Sequence, residues 1–399
     1  MQEIQILLVQ TQTVVAQLAL QLVATLGLCV GWLAVALARH TCAPAWRGLS
    51  ALTARATIVL GLLWLTVLAV AWPPLLERTG NVLGPLVAGL VAIMLVADAV
   101  AQRQVFATPS GYTSALSQRP WSFLQATGAV LTAIGFSVAV AVVLLALAWM
   151  AEPVGAVLID GRYQVTHWSD MLGGEAFLRG LLATVFGALV LLAALALWVS
   201  QSDRATVLAL PAGWQRCMAG LGVAGLLGLL WLLSRTVGMQ LNPVTQTTQT
   251  FYEALLNGPG NGALRATFVL WLAALAGLLA SLGVAAGAGH GASPSRLGAV
   301  MRQLTVIGAP VLWLLVCWQL FAMPLRARVA DLPVADLASM QPVAVLAFGL
   351  LLVAAVVLAA LWVLWRFFSR LAELAGLAPQ AEAAFQTQVP HPDQAEVAN

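Results

Sequence analysis

Charge is what this chain has least of. Only 8% of its 399 residues are Asp, Glu, Lys or Arg, where an ordinary soluble domain carries about 25%. Lysine is missing altogether, so all 18 basic residues are arginine, which reads as a bias of composition rather than as chemistry. Histidine occurs only at His40, His167, His290 and His391, and cysteine only at Cys29, Cys42, Cys217 and Cys317, each alone and with no CxxC spacing. That spacing excludes a metal knuckle and a disulfide framework. The net charge of +3 is scattered over many loops without a basic block, so nucleic acid is not an expected partner. The opening Met1-Gln-Glu-Ile-Gln lacks the positive region of a signal peptide, and the first apolar run is therefore expected to be a retained helix.

What the chain does have is apolar length. Hydrophobic residues make up 61% of it and the mean hydropathy is +0.93. Stretches of about 20 apolar residues recur, and in lipid such stretches must be helices, because each backbone amide has to find its partner within its own segment. The expected fold is all-α, an integral membrane bundle of about nine spans. They are expected near residues 12–38, 56–76, 81–101, 123–149, 176–200, 216–236, 266–288, 303–323 and 342–368. Residues 1–375 form this helical domain, and the polar, Ala/Gln/Pro-rich residues 376–399 read as a disordered cytoplasmic tail. Pro73-Pro74, Pro120, Pro153, Pro211, Pro243, Pro259 and Pro333 fall between spans or at their ends, and Pro310 falls inside the eighth.

Arginine distribution orients the bundle. The loops after the odd spans hold Arg39, Arg47, Arg55, Arg103, Arg119, Arg204, Arg216, Arg296, Arg302, Arg366 and Arg370, eleven against six on the other side (Arg78, Arg162, Arg235, Arg265, Arg326 and Arg328). The positive-inside rule then puts the N-terminus outside and the C-terminus in the cytoplasm. Trp46, Trp72, Trp121, Trp149 and Trp168 lie near predicted span ends, as an interfacial belt would. Of two long outer loops, residues 150–175 are acidic, with Glu152, Asp160, Asp170 and Glu175 against Arg162, and residues 239–264 are rich in Gln, Thr, Asn and Gly.

The predicted membrane core is poor in chemistry. Haem iron or copper needs His, Met, Cys or a carboxylate facing into the bundle, and all four histidines fall in loops or in the tail. Asp98, near the cytoplasmic end of the third span, is the best intramembrane acid; so near the interface it reads as a snorkelling or capping residue. Arg179, at the start of the fifth span, either reaches the outer interface through its stem or faces an anionic group in a neighbouring subunit. Cys29, Met94 and Cys317 are the soft ligands set deepest, and each reads first as packing. Gln118-Arg119-Pro120-Trp121 is a span boundary without chemistry, and Gly27 with Gly31, and Gly84 with Ala88 and Ala92, offer small-residue faces for helix contact.

One phrase is more specific. Residues 148–155 read Ala-Trp-Met-Ala-Glu-Pro-Val-Gly directly after the fourth span. This resembles the Gly-Trp-Met-Gln-Asn-Pro-Ile/Val-Gly phrase that follows the fourth helix in subunit I of cytochrome bd quinol oxidases. Thr11-Gln12-Thr13, Gly84-Pro85-Leu86 and Ala309-Pro310-Val311-Leu312-Trp313 extend the resemblance in register, over about residues 5–370. The ligands that the family implies are absent. Its first-helix haem histidine falls near Leu20 or Gln21, its fifth-helix haem histidine on Arg179, and its haem methionine near Leu272. Its eighth-helix glutamate falls on Cys317 and its proton-path glutamate on Gly89. The Gly-Arg-Gln-Pro-Trp signature is reduced to Leu325-Arg326-Ala327-Arg328-Val329-Ala330.

The resemblance implies a degenerate paralogue of subunit I in a bacterial or archaeal cytoplasmic membrane. It would be a structural subunit without a catalytic centre or cofactor of its own, packed against a haem-bearing subunit I that holds haem b/d and a quinone. Two alternatives stand beside this reading. Cys317, or Arg179 acting on a propionate, could hold a haem by substitute ligation, or the chain could be a small-solute or lipid transporter.

Overall fold

The computed structural model describes residues 2–40, 45–66, 68–69, 73–106, 123–201, 214–238, 261–287, 296–319, 328–329, 332–359 and 361–362. The long helices are α1 (Gln2–His40), α2 (Ala45–Thr66), α3 (Pro73–Phe106) and α4 (Phe123–Ala151), then, after a hairpin and the short α5 (Trp168–Gly173), α6 (Glu175–Gln201), α7 (Trp214–Gly238), α8 (Asn261–Gly287) and α9 (Arg296–Cys317). A short α10 (Val334–Ser339) precedes the last helix, α11 (Val343–Ala359). Among the described residues, five helical stretches are long and apolar enough to cross a membrane: Gln2–Val35, Leu75–Val100, Gly128–Ala151, Glu175–Ala196 and Arg216–Arg235. Four shorter apolar helices, Leu52–Thr66, Leu264–Ala280, Ile307–Cys317 and Val343–Ala359, lie where the other spans are expected.

Hydroxyl groups inside these helices are satisfied locally, as a lipid setting demands. Thr13 donates to the Val9 carbonyl at 2.9 Å, Thr79 to Leu75 at 2.8 Å and Thr132 to Gly128 at 2.8 Å, each reaching back one turn. Packing divides the helices into two groups. In the first, α1 packs on α2 and α4, α2 on α3 and α4, and α3 on α4. In the second, α6 packs on α7 and α9, and α8 on α7 and α9. Contacts of α1 with α6 and α9, and of α4 with α6, join the two. The last helix belongs to the first group: Leu346 and Val353 sit in its apolar core, and Gln12 donates its amide N–H to the Leu346 carbonyl.

Several boundaries differ from expectation. The first helix starts at Gln2 instead of residue 12, so its glutamine-rich opening is helical too. An apolar window marks the hydrocarbon depth, whereas the backbone hydrogen bonds run on past it. The second helix lies about ten residues earlier than expected, over Ala45–Thr66. Pro85 lies inside α3, beside Pro310 inside α9; each removes one donor from its helix ladder.

The acidic loop is also built. Strands β1 (Ala156–Ile159) and β2 (Arg162–Val165) pair antiparallel, Ala156 opposite Val165 and Ile159 opposite Arg162. Asp160 and Gly161 close the hairpin with φ of 51° and 78°, the positive values that a tight two-residue turn needs. An isolated two-stranded hairpin is marginal, and this one is anchored edge-on: the Tyr163 ring meets Trp149 at 5.2 Å and 89°. Trp149 is therefore buried instead of facing the lipid interface as a belt residue. Gly155 has φ of 72° and its carbonyl accepts the amides of Thr166 and His167 at 2.9 and 3.2 Å. In the 148–155 phrase, Trp149 and Gly155 thus fix the turn that leaves α4. A second small ladder, β3 (Arg328–Val329) with β4 (Leu332–Pro333), and α10 complete this end of the bundle. The tail, His290, His391, Cys42, Gln118–Trp121 and the stretch 239–260 lie outside the described residues.

Candidate functional site

Among the described residues a polar seam runs through the interior, and α1 supplies most of it. Gln17, Gln21, Thr25 and Cys29 recur every fourth residue, which on a helix puts them on a single face. All four are buried. Opposite stand Gly180, Ala183, Thr184 and Gly187, a buried face of α6 made of small residues. From the third side, α9 inserts Trp313, itself fully buried.

The contacts run in sequence along the seam. The Thr184 hydroxyl lies 2.9 Å from the Gly180 carbonyl and 3.2 Å from Gln21 Oε1. Thr25 donates its hydroxyl to the Gln21 carbonyl and accepts the Trp313 indole N–H at 2.9 Å. The Trp313 ring lies flat enough on α6 that a Cβ at Gly187 would come within 2.6 Å of it. One turn on, Cys29 donates its thiol to the Ala188 carbonyl at 3.0 Å. Two amide groups remain incomplete, since Nε2 of Gln17 and Nε2 of Gln21 are buried without a partner. Turning the Gln21 amide over would let it donate to Thr184, but it would then orphan the oxygen.

Residues singled out in the sequence are brought to different places. Cys317 is buried one turn beyond Trp313, within the apolar cluster that includes Leu229, Leu278 and Val316. Arg179 stands at the start of α6 and pairs with Glu175 at 3.0 Å, one turn earlier on the same helix. It is thus paired within its own helix at the end of the bundle. Leu272, at the position of the family's haem methionine, is 47% exposed. Met94 packs its thioether over Gly61, where a Cβ would lie 2.1 Å from the sulfur. Asp98 is half-buried near the end of α3, and His167 is an exposed residue capping α5. Among the described residues, no group of three or more His, Cys, Asp or Glu is placed to hold a metal ion. Outside the seam, a groove of about 300 Å³ lies between α1 and α4, lined by Trp32, Ile134, Val138, Leu145, Leu172 and Phe177.

Searching for acids, histidines and thiols finds only Cys29 of the seam. Gln17, Thr25 and Thr184 carry no charge and bind no iron. The available signal is a polar side chain at every fourth position of an otherwise apolar helix.

No protein-family profile and no curated protein matches the sequence. The fold does have a counterpart. It is similar to a chain of the bd oxidase from Geobacillus thermodenitrificans, with a TM-score of 0.58 at 13% identity, covering 92% of this chain and 98% of that one. With both chains matched almost end to end, this is a helical membrane protein with a distant bd-oxidase-like fold.

Proposed function

We propose that the chain is a non-catalytic structural subunit of a bd-type oxidase-like respiratory complex, packed in the membrane against a haem-bearing homologue of subunit I. The observation that carries this reading is a whole-chain likeness to a bd oxidase fold combined with an interior whose buried polar side chains, among the described residues, are amides, hydroxyls and the thiols of Cys29 and Cys317. Haem iron needs a His, Met, Cys or Tyr ligand. At the positions that the resemblance matches to ligands, Gln21 is engaged with Thr184 and Arg179 with Glu175. Trp313 is packed onto Gly187, and Cys317 is enclosed by an apolar cluster. These residues do not fit an iron porphyrin, and no step through one is assigned to them.

The test is a purification of the tagged full chain from its native membrane in mild detergent. A haem-rich partner of subunit I type should co-purify, and the haem should follow that partner when the two are separated. A pyridine haemochrome spectrum reporting one haem or more per isolated chain would overturn the proposal, as would purification with no respiratory partner.

A further inference from the structure

We propose that the seam between α1, α6 and α9 is a binding site for ordered water, held by the side-chain amides of Gln17 and Gln21. The inference does not rest on the oxidase reading. Gln17 is 2% exposed and Gln21 0%, yet Nε2 of each has no acceptor among the described residues. A polar group buried in this way costs on the order of several kcal/mol in hydrocarbon, so such groups are matched by protein or by water. Rotating the Gln21 amide only exchanges which of its atoms is orphaned. The facing wall of α6 is Gly180, Ala183, Thr184 and Gly187, whose side chains carry no hydrogen-bonding group apart from the Thr184 hydroxyl.

Water suits the site chemically. It accepts from an amide N–H and still has two hydrogens to donate, and buried waters typically make about 3 hydrogen bonds to groups otherwise unsatisfied. A charged ligand does not suit it: the seam contains no Asp, Glu, Arg or His to balance one. The water is also confined. At the Trp313 end the indole N–H only donates, and the Thr25 hydroxyl is already committed to the Gln21 carbonyl. The hydrogen-bond chain therefore stops there, which makes the seam a static water site and not a proton wire.

X-ray hydroxyl-radical footprinting of the full-length chain in heavy-oxygen water tests this, because radicals formed from a bound water oxidise the side chains beside it. Trp313 and Trp64 are both about fully buried, at 0% and 1% exposed, and Trp64 lies in an apolar core without the seam's amides. Trp313 should be oxidised several-fold more than Trp64, and should fall to the Trp64 level when Gln17→Leu and Gln21→Leu are combined. If Trp313 in the unaltered chain is as silent as Trp64, the seam is dry and the proposal fails. It fails equally if the labelling survives the double substitution. The unaltered chain alone suffices for the first comparison should the variant not fold.

Discussion

Helices α1 and α3 are both apolar and both long enough to cross a membrane, yet they use their small residues in opposite ways. In α1, 61% of the most apolar stretch is buried, and in α3 only 17%. A Cβ added at Gly27 would come within 2.1 Å of the Phe136 ring, and one at Gly31 within 3.0 Å of Thr53. Added at Gly80, Gly84 or Gly89 of α3, it would meet nothing within 4 Å. Small residues at four-residue spacing permit close approach without compelling it. The amides compel it: Gln12, Gln17 and Gln21 must leave lipid, so α1 is central, whereas the midsection of α3 carries nothing that must be hidden.

The sharpest way to break this comparison is to insert the same bulk in both places. Gly27→Leu on α1, whose Cβ would start 2.1 Å from the Phe136 ring, should lower stability by about 1–3 kcal/mol. Gly84→Leu on α3 should change it by less than about 0.5 kcal/mol. Thermal unfolding of both variants in one detergent would decide, and equal losses would refute the contrast. Thr25→Val keeps the side chain's shape and deletes the hydroxyl that accepts the Trp313 N–H, for an expected loss of about 0.6–1.7 kcal/mol. Gln12→Leu should cost a similar or slightly smaller amount and loosen the last helix. Hydrogen exchange over Val343–Ala359 should then accelerate while α3 exchanges as before. The smallest effect belongs to Glu175→Gln. With Glu175 64% exposed, its pair with Arg179 is a solvent-facing contact worth about 0.3–0.5 kcal/mol, and the unfolding temperature should hardly move.

The helices were legible because apolar length has one solution in a bilayer. Their ends were less so: the helical backbone continues through Gln2–Gln10, ahead of the start expected near residue 12. The hairpin over 156–165 was legible in principle. Asp160-Gly161 between two strand-like runs is a turn signal, masked in this loop by its acidic composition. The small-residue faces were only half informative. The pattern at Gly27 and that at Gly84 look alike in sequence, and tertiary neighbours alone distinguish them. The seam is harder still. Gln21 stands out in the sequence only as the place where an expected ligand is missing, and its tie to Thr184 links residues 163 positions apart.

The bond from Gln12 to the Leu346 carbonyl joins groups separated by 334 positions, and Gln5 reaches the Gln341 carbonyl at 2.8 Å across a similar distance. During synthesis, the first helix therefore enters the bilayer long before its acceptors exist. Until the final helix has been inserted, these amides must be tended by water, lipid headgroups or an insertion factor. Both contacts thus close only once the chain has been made through residue 346, so the first helix finds its last partners at the very end of assembly.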